Sequence, residues 1–496
     1  MLANLVATNR RDSGGWNVRA KIFAEENRKW WTLGSLCFAL FMIMLDNTVV
    51  NVALPAIKAD LGISTSELEW TVAAYALTFA SLLLTGGKLG DLLGRRLIFV
   101  IGLAIFTLSS LFCGLAGSAT ELIAARSVQG IGAALMMPAT LSIISATFAV
   151  RERGTAIGIW AGVSAMALAI GPLLGGVITE HISWNWIFYV NVPIGVLGIL
   201  AGIFVVPESR DTSHEQRLDL PGLLTSGIGL LALVYALIEA NSYGWTSARI
   251  LALFVIAAVA LSSFVFLEMH QRLPMLDLSL FKNGTFAGAN ITAILVTLAM
   301  FGIFVFFPIY MQTFRGWSPI QSGAALLPWT ILIVIFAPIA GKLSDRVGSR
   351  WLMAGGMSVV AVCCLLLSTV NLQSSFWNMF PAFILGGLGM SFVMTPMSAA
   401  AMGAAPVDKA GVASGVLNTF RQVGVALGIA ITGAIVADRA AAAASDGASP
   451  PEAFVHGLTF AMKISALICL GGAIAAAALI RRYRHADSSQ PVEVAA

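Results

Sequence analysis

The sequence predicts an all-α polytopic membrane protein with fourteen transmembrane helices, arranged as two six-helix bundles and two inserted helices. Three observations lead to this fold class. Of the 496 residues, 58% are hydrophobic and only 11% are charged, and a soluble protein of this size needs more polar surface. The apolar stretches are continuous, whereas the strands of a membrane barrel alternate. Finally, one charged, glycine-rich loop occurs twice, which is typical of transporters with internal repeats.

Fourteen apolar stretches have about the 20 residues that a helix needs to cross a bilayer. They cover residues 31–53, 70–88, 97–117, 121–146, 155–178, 187–207, 220–240, 249–268, 285–312, 322–342, 351–371, 377–402, 411–437 and 457–480. The domain prediction is a cytoplasmic tail (1–29), a six-helix bundle (30–207), two inserted transmembrane helices with linkers (208–284), a second six-helix bundle (285–480) and a cytoplasmic tail (481–496). The longest outer loop, about 438–456, is predicted to be flexible.

The repeated loop supports this number of spans. Residues Gly87 to Arg96 return as Gly341 to Arg350, 254 residues later and again between two apolar stretches. The first six spans occupy only 177 residues (31–207). The difference of about 77 residues matches 208–284, which contains just two spans.

Lysine and arginine residues predict the orientation. They are concentrated in the loops on the side of the chain termini, and basic loops are typically cytoplasmic. Residues 1–29 have no short apolar stretch followed by a cleavage site, so we expect a cytosolic tail there and not a signal peptide. The chain is therefore expected in the cytoplasmic membrane with both termini inside. The basic residues form no single stripe, so nucleic acid is not an expected partner.

The first and fourth spans each carry a charge at membrane depth, where charges are costly and are therefore candidates for function. Asp46 lies about 22 Å along the first span, counted from the interfacial Trp30–Trp31 pair. Arg126 lies at a similar depth on the fourth span, which runs the opposite way. A carboxylate that alternates between protonation and pairing suits proton coupling. We therefore assign proton coupling to Asp46 and support or gating to Arg126; the alternative is a static ion pair that fixes helix packing.

The fifth span has a motif of glycines and one proline, which allow helices to approach closely or to bend. On physical grounds, packing is the commoner role for such a motif. Its residues are Gly162, Gly171, Pro172, Gly175 and Gly176.

Polar side chains within other spans are candidates for a substrate cavity. They are Asn51, Asn290, Gln312, Asn418 and Arg421. Arg421 lies near the midplane of its span, and it could contact an anionic substrate, an acid of the other half or only a structural hydrogen-bond partner.

These motifs, with the repeated loop and the segment from Trp184 to Gly195, resemble the fourteen-span drug:proton antiporters of the major facilitator superfamily. The resemblance covers about residues 31–480. It implies the major facilitator fold, an association of the fifth-span motif with export and a coupling role for Asp46. It also implies that the repeated loop is a cytoplasmic latch that stabilises the outward-facing state. The latch candidates are Gly87, Asp91, Gly94, Arg95, Gly341, Asp345, Arg346 and Gly348. In one departure, Asn185 stands where the family usually has an arginine.

The predicted function is proton-coupled efflux of hydrophobic or amphipathic drugs and toxic compounds by alternating access. No GxxxxGK[ST] phosphate-binding loop occurs, so the proton gradient is the expected energy source, without a cofactor. Because one acid lies clearly inside the membrane, neutral, monocationic or weakly acidic substrates are expected. The alternatives are a dedicated exporter of one metabolite or antibiotic, and a non-transporting membrane receptor or scaffold.

Enzymatic and metal chemistry are not expected, because no nucleophile–base pair or metal cluster can be assembled from the five histidines and five cysteines. Some relatives with this architecture work with a periplasmic adaptor and an outer-membrane channel. Such partners are an expectation from the resemblance alone.

Overall fold

The computed structural model describes residues 25–63, 65–210, 219–271, 274, 276–317 and 319–481, so most of both predicted tails lies outside the described residues. Within these ranges the chain forms sixteen α-helices and no β-strand. The helices are α1 (Glu25–Leu61), α2 (Thr65–Leu93), α3 (Arg95–Leu115), α4 (Ala119–Thr147), α5 (Val150–His181), α6 (Trp186–Tyr189), α7 (Asn191–Phe204), α8 (Leu220–Tyr243), α9 (Ala248–His270), α10 (Gly284–Ile309), α11 (Pro319–Ala325), α12 (Leu327–Val347), α13 (Ser349–Leu367), α14 (Phe376–Ala404), α15 (Ala410–Ser445) and α16 (Pro450–Leu479). Two 3₁₀-helices (Leu278–Lys282 and Val407–Lys409) and a π-helix (Tyr310–Phe314) join them.

Fourteen of these segments have the length of membrane spans. Thirteen stretches of the described chain are long and apolar enough to cross a bilayer, and α5, with 32 residues, is the fourteenth long helix. The sixth span consists of α6 and α7, which together run from Trp186 to Phe204. The predicted all-α fold with fourteen membrane helices is confirmed.

The outer loop predicted at 438–456 is mostly helical, so the prediction of a long flexible loop was wrong. α15 continues through the alanine run to Ser445, and α16 begins at Pro450. Alanine has the highest helix propensity. Pro450 occupies the first turn of its helix, behind a capping box made by Ser449 and Glu452. These local signals extend both helices into the loop.

The two halves repeat the same helix contacts. A Cβ atom on Gly102 would lie 2.8 Å from the carbonyl oxygen of Gly132, so α3 and α4 touch backbone to backbone. In the second half, a Cβ atom on Gly356 would lie 2.8 Å from the carbonyl oxygen of Gly389, which brings α13 equally close to α14. Small residues permit this approach. The repeat in the sequence is therefore also a repeat in the packing.

The halves meet through two main pairs of helices. α5 packs on α12, and α2 packs on α15. The inserted helices α8 and α9 pack on each other, and α8 also contacts α2 and α15. The inserted pair therefore lies beside one of the two contacts between the halves.

Two lysines tie the linker between α9 and α10 to both halves. Lys88 of α2 donates a hydrogen bond to the carbonyl oxygen of Pro274 at 3.4 Å, and Lys409 donates one to Asp277 Oδ2 at 2.7 Å. Partial burial raises the pKa of Asp277, but hydrogen bonds from Lys409 and Ser279 outweigh it and lower that pKa to about 2. Asp277 therefore stays charged and keeps this contact at neutral pH.

Candidate functional site

Asp46 and Arg126 form an ion pair inside the first half. Arg126 Nη1 donates a hydrogen bond to Asp46 Oδ2 at 2.5 Å. Asp46 is 2% exposed and Arg126 is 1% exposed, so the medium around the pair screens it little. The sequence-based expectation that α1 and α4 bring these two charges to the same depth agrees with this geometry.

Two amides complete the surroundings of the carboxylate. Gln129 Nε2 donates to Asp46 Oδ1 at 2.9 Å, and Asn191 Nδ2 donates to the same oxygen at 3.3 Å. Gln129 Oε1 also accepts from Arg126 Nη1 at 2.7 Å. Three helices, α1, α4 and α7, therefore meet at one carboxylate.

Further contacts hold the guanidinium of Arg126. Its Nε donates to the carbonyl oxygen of Thr71 on α2 at 3.2 Å. The guanidinium carbon lies 4.3 Å from the centre of the Tyr75 ring and 5.8 Å from that of Phe188, which are cation–π distances. A buried charge needs such pairing and hydrogen bonding to be stable.

This arrangement links a proton to helix packing. Arginine keeps its proton at all accessible pH values, so Asp46 is the member of the pair that can change its charge. Protonation of Asp46 would neutralise the partner of a buried guanidinium and remove an acceptor from Gln129 or Asn191. The site can therefore exchange a proton for a change in the contacts between α1, α4 and α7.

Sequence reasoning did not single out Gln129 or Asn191 for this site. Gln129 follows Arg126 by three residues, which puts both on one face of α4, so spacing could have found it. Asn191 is the first residue of α7. Its neighbourhood with Asp46 arises from tertiary packing, because 145 residues separate the two in the chain.

The fifth-span motif packs against α1 next to the acid. A Cβ atom on Gly171 would lie 1.8 Å from Thr48 Oγ1, and one on Gly175 would lie 3.1 Å from the carbonyl oxygen of Val49. Thr48 and Val49 follow Asp46 by two and three residues. A displacement of α1 at Asp46 would therefore also displace α5.

The other motif residues have different surroundings. A Cβ atom on Gly162 would lie 3.3 Å from the carbonyl oxygen of Val334, so this glycine faces α12 in the other half. Gly176 has open space where a side chain would be. The side chain of Pro172 lies outside the described part of the chain.

Gly162 belongs to a series of glycines on α5 that faces the other half, and sequence reasoning missed the other two members, Gly154 and Gly158. A Cβ atom on Gly158 would lie 2.5 Å from the carbonyl oxygen of Ala337, and one on Gly154 would lie 2.5 Å from that of Gly341. Gly154, Gly158 and Gly162 are spaced by four residues, which puts them on one helix face. α5 thus contacts α1 through one set of glycines and α12 through another.

The first copy of the repeated loop binds the N-terminus of α15. Asp91 Oδ1 accepts from the N–H of Gly411, and Asp91 Oδ2 accepts from the N–H of Val412, both at 2.8 Å. A carboxylate is stabilised at a helix N-terminus by free N–H groups and by the helix dipole. Arg95 Nη2 donates to Asp91 Oδ1 at 2.7 Å and to two carbonyl oxygens of the turn before α15 at 2.6 and 2.9 Å.

The second copy makes the reciprocal contact. Asp345 Oδ1 accepts from the N–H of Gly154 at 3.0 Å, and Oδ2 accepts from the N–H of Thr155 at 3.2 Å, in the second turn of α5. Each half therefore presents an acid to two backbone N–H groups of the other half, at the N-terminus of α15 for Asp91 and in the second turn of α5 for Asp345. We call these the Asp91 latch contact and the Asp345 latch contact.

The two latch contacts differ at the arginine position. Ser349 stands in the second copy where Arg95 stands in the first, and its Oγ lies 2.8 Å from Ser344 Oγ. Arg346, which was predicted as a latch residue, is exposed at the end of α12, whereas Arg95 is buried. A role for Arg346 in the latch stays a prediction.

Glycines let the latch contacts form. A Cβ atom on Gly87 would lie 2.3 Å from the carbonyl oxygen of Gly411, and one on Gly341 would lie 1.9 Å from that of Gly154. Both distances are far inside van der Waals contact. Any side chain at Gly87 or Gly341 would therefore separate the halves at the latch.

Gly94 and Gly348 follow the helices that carry the latch acids. Their φ values are 119° and 87°, which side-chain-bearing residues disfavour. Beside Gly94, the carboxylate of Glu208 accepts from the N–H of Arg96 at 3.0 Å. Sequence reasoning missed Glu208, because 112 residues separate it from this turn.

The five cavity candidates have different environments. Asn290 and Asn418 are buried, and each amide donates to a carbonyl oxygen four residues earlier in its own helix at 2.9 Å. Gln312 is exposed in the π-helix, and the side chain of Asn51 lies outside the described residues. Arg421 is buried on α15 and donates to a hydroxyl of α14.

Asn185, the departure from the motif noted in the sequence, makes a neutral hydrogen bond to the end of α3. Asn185 Nδ2 donates to the carbonyl oxygen of Gly114 at 2.8 Å, and the Tyr189 hydroxyl donates to the same oxygen at 2.7 Å. Neutral hydrogen bonds therefore fasten α6 to the end of α3.

Comparison with known proteins agrees with this architecture. The model of the Major Facilitator Superfamily matches residues 36–429. The chain belongs to the major facilitator superfamily. This transporter is 36% identical over 477 residues to the puromycin resistance protein pur8 of Streptomyces alboniger, covering 94% of each chain. The predicted family and the predicted multi-pass membrane character are confirmed.

Other relatives of the transporter have related names. It is 33% identical to the tetracenomycin C resistance and export protein of Streptomyces glaucescens, covering 83% of this chain and 77% of the relative. It is 36% identical to the methylenomycin A resistance protein of Bacillus subtilis, covering 81% and 86%. Its fold resembles the crystal structure of the human organic anion transporter MFSD10, with a TM-score of 0.63 over 91% of this chain and 99% of that chain. At 11% identity, this likeness concerns the fold alone.

Proposed function

We propose that the transporter exports hydrophobic or amphipathic drugs and toxic compounds across the cytoplasmic membrane, in exchange for protons and by alternating access. The names of its relatives, which refer to antibiotic resistance and export, support the efflux part of the proposal. The observation that carries the proton-coupling part is the buried Asp46–Arg126 pair. No cofactor is needed, because the proton gradient supplies the energy.

The contacts of α5 can transmit the effect of protonation at Asp46 to the interface between the two halves. A proton from outside binds an Asp46 oxygen and weakens its bonds to Arg126, Gln129 and Asn191. α1 then shifts against Gly171 of α5, and α5 shifts against α12 at the Asp345 latch contact. Opening of both latch contacts exposes the site to the cytoplasm, where the proton leaves. In this scheme the structure corresponds to the outward-facing state with its cytoplasmic latch closed.

Conservative substitution of the acid tests the coupling. In proteoliposomes with an imposed pH gradient, we expect Asp46→Asn to abolish substrate-dependent proton release, because an amide cannot bind and release the proton. Asp60→Asn is the matched control: Asp60 lies on the same helix but is exposed and accepts a hydrogen bond from Trp184 Nε1 at 2.8 Å. Full coupled transport by Asp46→Asn would refute the assignment. Neutralising both Asp46 and Arg126 without loss of resistance would favour the receptor or scaffold alternative.

A dedicated exporter of one compound is the second candidate function. The relatives named for single antibiotics favour it. Resistance to puromycin, tetracenomycin C, methylenomycin A and a set of unrelated dyes and biocides, measured in a strain that expresses the chain, separates the two. Resistance to one chemical class supports the dedicated exporter, and resistance across classes supports multidrug efflux.

The orientation and the assembly belong to the same proposal. Basic loops support a location of both termini in the cytoplasm, and a reporter fused to each terminus tests it.

A periplasmic adaptor and an outer-membrane channel are proposed partners from the family resemblance. Co-purification of the full chain with candidate adaptors from the native membrane checks this part.

A further inference from the structure

Arg421 is a buried arginine with few partners. It is 7% exposed. Its Nη2 donates to Ser398 Oγ at 2.6 Å, and its Nε is buried with no hydrogen-bond partner. Among the described residues, the ion pairs within 4.0 Å do not include Arg421. A full positive charge therefore lies inside the second half without a counter-charge from the described chain.

The contrast with the other buried arginines is large. Arg126 reaches a carboxylate, a glutamine, a backbone carbonyl and an aromatic face. Arg95 reaches Asp91 and two carbonyl oxygens. Both acids, Asp46 and Asp91, are already in ion pairs with these arginines, so neither is a free counter-charge for Arg421 in this state.

Two more polar groups, on the helices that pack against α15, are buried without a hydrogen-bond partner. α10 and α15 run parallel in contact, because a Cβ atom on Gly424 would lie 2.7 Å from the carbonyl oxygen of Ile294, and one on Gly428 would lie 2.5 Å from that of Leu298, four residues later on both helices. One turn earlier on both helices, this register puts Arg421 level with Asn290, whose Oδ1 is buried without a partner. On α14, Thr395 lies one turn from Ser398, and its Oγ1 is also buried without a partner.

The chemistry of this cluster suits an anion. A guanidinium keeps its charge when buried, and an uncompensated buried charge is strongly unfavourable. Carboxylate, sulfonate and phosphate oxygens match the two-pronged geometry of a guanidinium and accept charge-assisted hydrogen bonds. Thr395 can donate a further hydrogen bond to such a group. Arg421 lies about 16 Å along α15 from its start at Ala410, which is near the middle of the bilayer.

We propose that Arg421 binds the anionic group of an amphipathic substrate, with Ser398 and Thr395 beside it. This inference rests on the proposed export function and names a class of compound that the transporter carries. The first half adds no opposing charge, because Asp46 and Arg126 neutralise each other. The transporter therefore prefers an amphipathic anion over a neutral compound with the same aromatic skeleton.

A pair of fluorescent probes tests the preference. 8-Anilinonaphthalene-1-sulfonate carries a sulfonate, and N-phenyl-1-naphthylamine has the same rings without it. With the full chain in nanodiscs, and with empty nanodiscs subtracted, we expect the wild type to bind the sulfonate about tenfold more tightly than the amine. Arg421→Gln should abolish this preference and change the affinity for the amine less than about twofold. Arg421→Lys should keep part of the preference, because it retains the charge but not the two-pronged geometry.

Controls separate the outcomes. Arg439→Gln, which removes an exposed arginine from the same helix, should leave both affinities unchanged. If Arg421→Gln does not fold, as judged by loss of amine binding, the ratio of the two affinities in Arg421→Lys decides. An equal ratio in the wild type and the folded variant overturns the proposal. If an Arg421 variant keeps the wild-type ratio of probe affinities but loses substrate-dependent proton release, the proposal is overturned, and Arg421 instead pairs with an acid of the other half during transport. Wild-type protein that binds both probes but moves neither in proteoliposomes refutes the export function and leaves the anion site standing.

Discussion

Gln129 serves both members of the ion pair at once. Its amide nitrogen donates to Asp46, and its amide oxygen accepts from Arg126. It is fully buried, so water does not replace these bonds. The residue therefore holds the carboxylate and the guanidinium in one geometry.

Gln129→Leu tests this role. The substitution keeps the volume but leaves Asp46 and Arg126 each one hydrogen bond short, which costs about 1–3 kcal/mol for buried groups. We expect a lower unfolding temperature in detergent and a loss of proton-coupled transport. The control is Ser127→Ala, which removes only a hydrogen bond to Ile123 of the same helix. Equal stability and transport in the two variants would contradict a role for Gln129.

Residue spacing predicted part of this site. Asp46 and Arg126 could be paired from their depth in two antiparallel spans, because depth follows from counting residues along a helix. Asn191 could not be placed in this way. It lies beside Asp46 because α7 packs against α1, and hydropathy does not encode which spans are neighbours.

At the scale of the elements, α5 connects the region of the buried ion pair with the interface between the halves. One set of glycines brings it against α1 beside Asp46, and the series Gly154, Gly158 and Gly162 brings it against α12. Close backbone packing transmits small shifts because it leaves no space to absorb them. The four-residue spacing of the series was visible in the sequence, but the partner helix was not.

Gly158→Ala tests the contact of α5 with α12. The new Cβ atom would lie 2.5 Å from the carbonyl oxygen of Ala337 and 2.7 Å from the Cα of Pro338, so the backbones must separate. Overpacking of this kind costs about 1–3 kcal/mol. We expect a lower unfolding temperature and slower transport.

Gly176→Ala is the control on the same helix, because nothing lies within 4 Å of the added atom. It should be neutral or stabilise the protein by up to about 1 kcal/mol. A thermal-unfolding series on both variants would contradict the packing argument if the two alanines had the same effect.

At the scale of the whole molecule, two reciprocal contacts close the latch side. Asp91 of the first half caps α15 of the second, and Asp345 of the second half accepts hydrogen bonds from two N–H groups in the second turn of α5 of the first. A carboxylate at a helix N-terminus, as Asp91 is, contributes about 0.5–2 kcal/mol. Because both contacts bridge the halves, their energy favours one conformational state over the other.

Hydrogen exchange can separate the two contacts. Asp91→Asn should speed exchange at the backbone of Gly411 and Val412, and Asp345→Asn should speed it at Gly154 and Thr155. Asparagine keeps one acceptor oxygen, so one N–H of each pair loses its acceptor and the other loses the charge on its acceptor. The double variant should open the latch side more than either single variant. Exchange that rises equally at both sites in each single variant would show one cooperative latch and contradict two separable contacts.

The sequence by itself determined the membrane class, the fourteen spans, the internal repeat and the family. These properties depend on local composition and spacing, because lipid requires every span to satisfy its own backbone and to be apolar along its length. Only the tertiary structure decided that Gln129 and Asn191 surround Asp46, that the latch acids bind backbone N–H groups of α5 and α15, and that Arg421 has no counter-charge among the described residues. These are contacts between helices far apart in the chain. They depend on how glycine surfaces fit together, which composition does not specify.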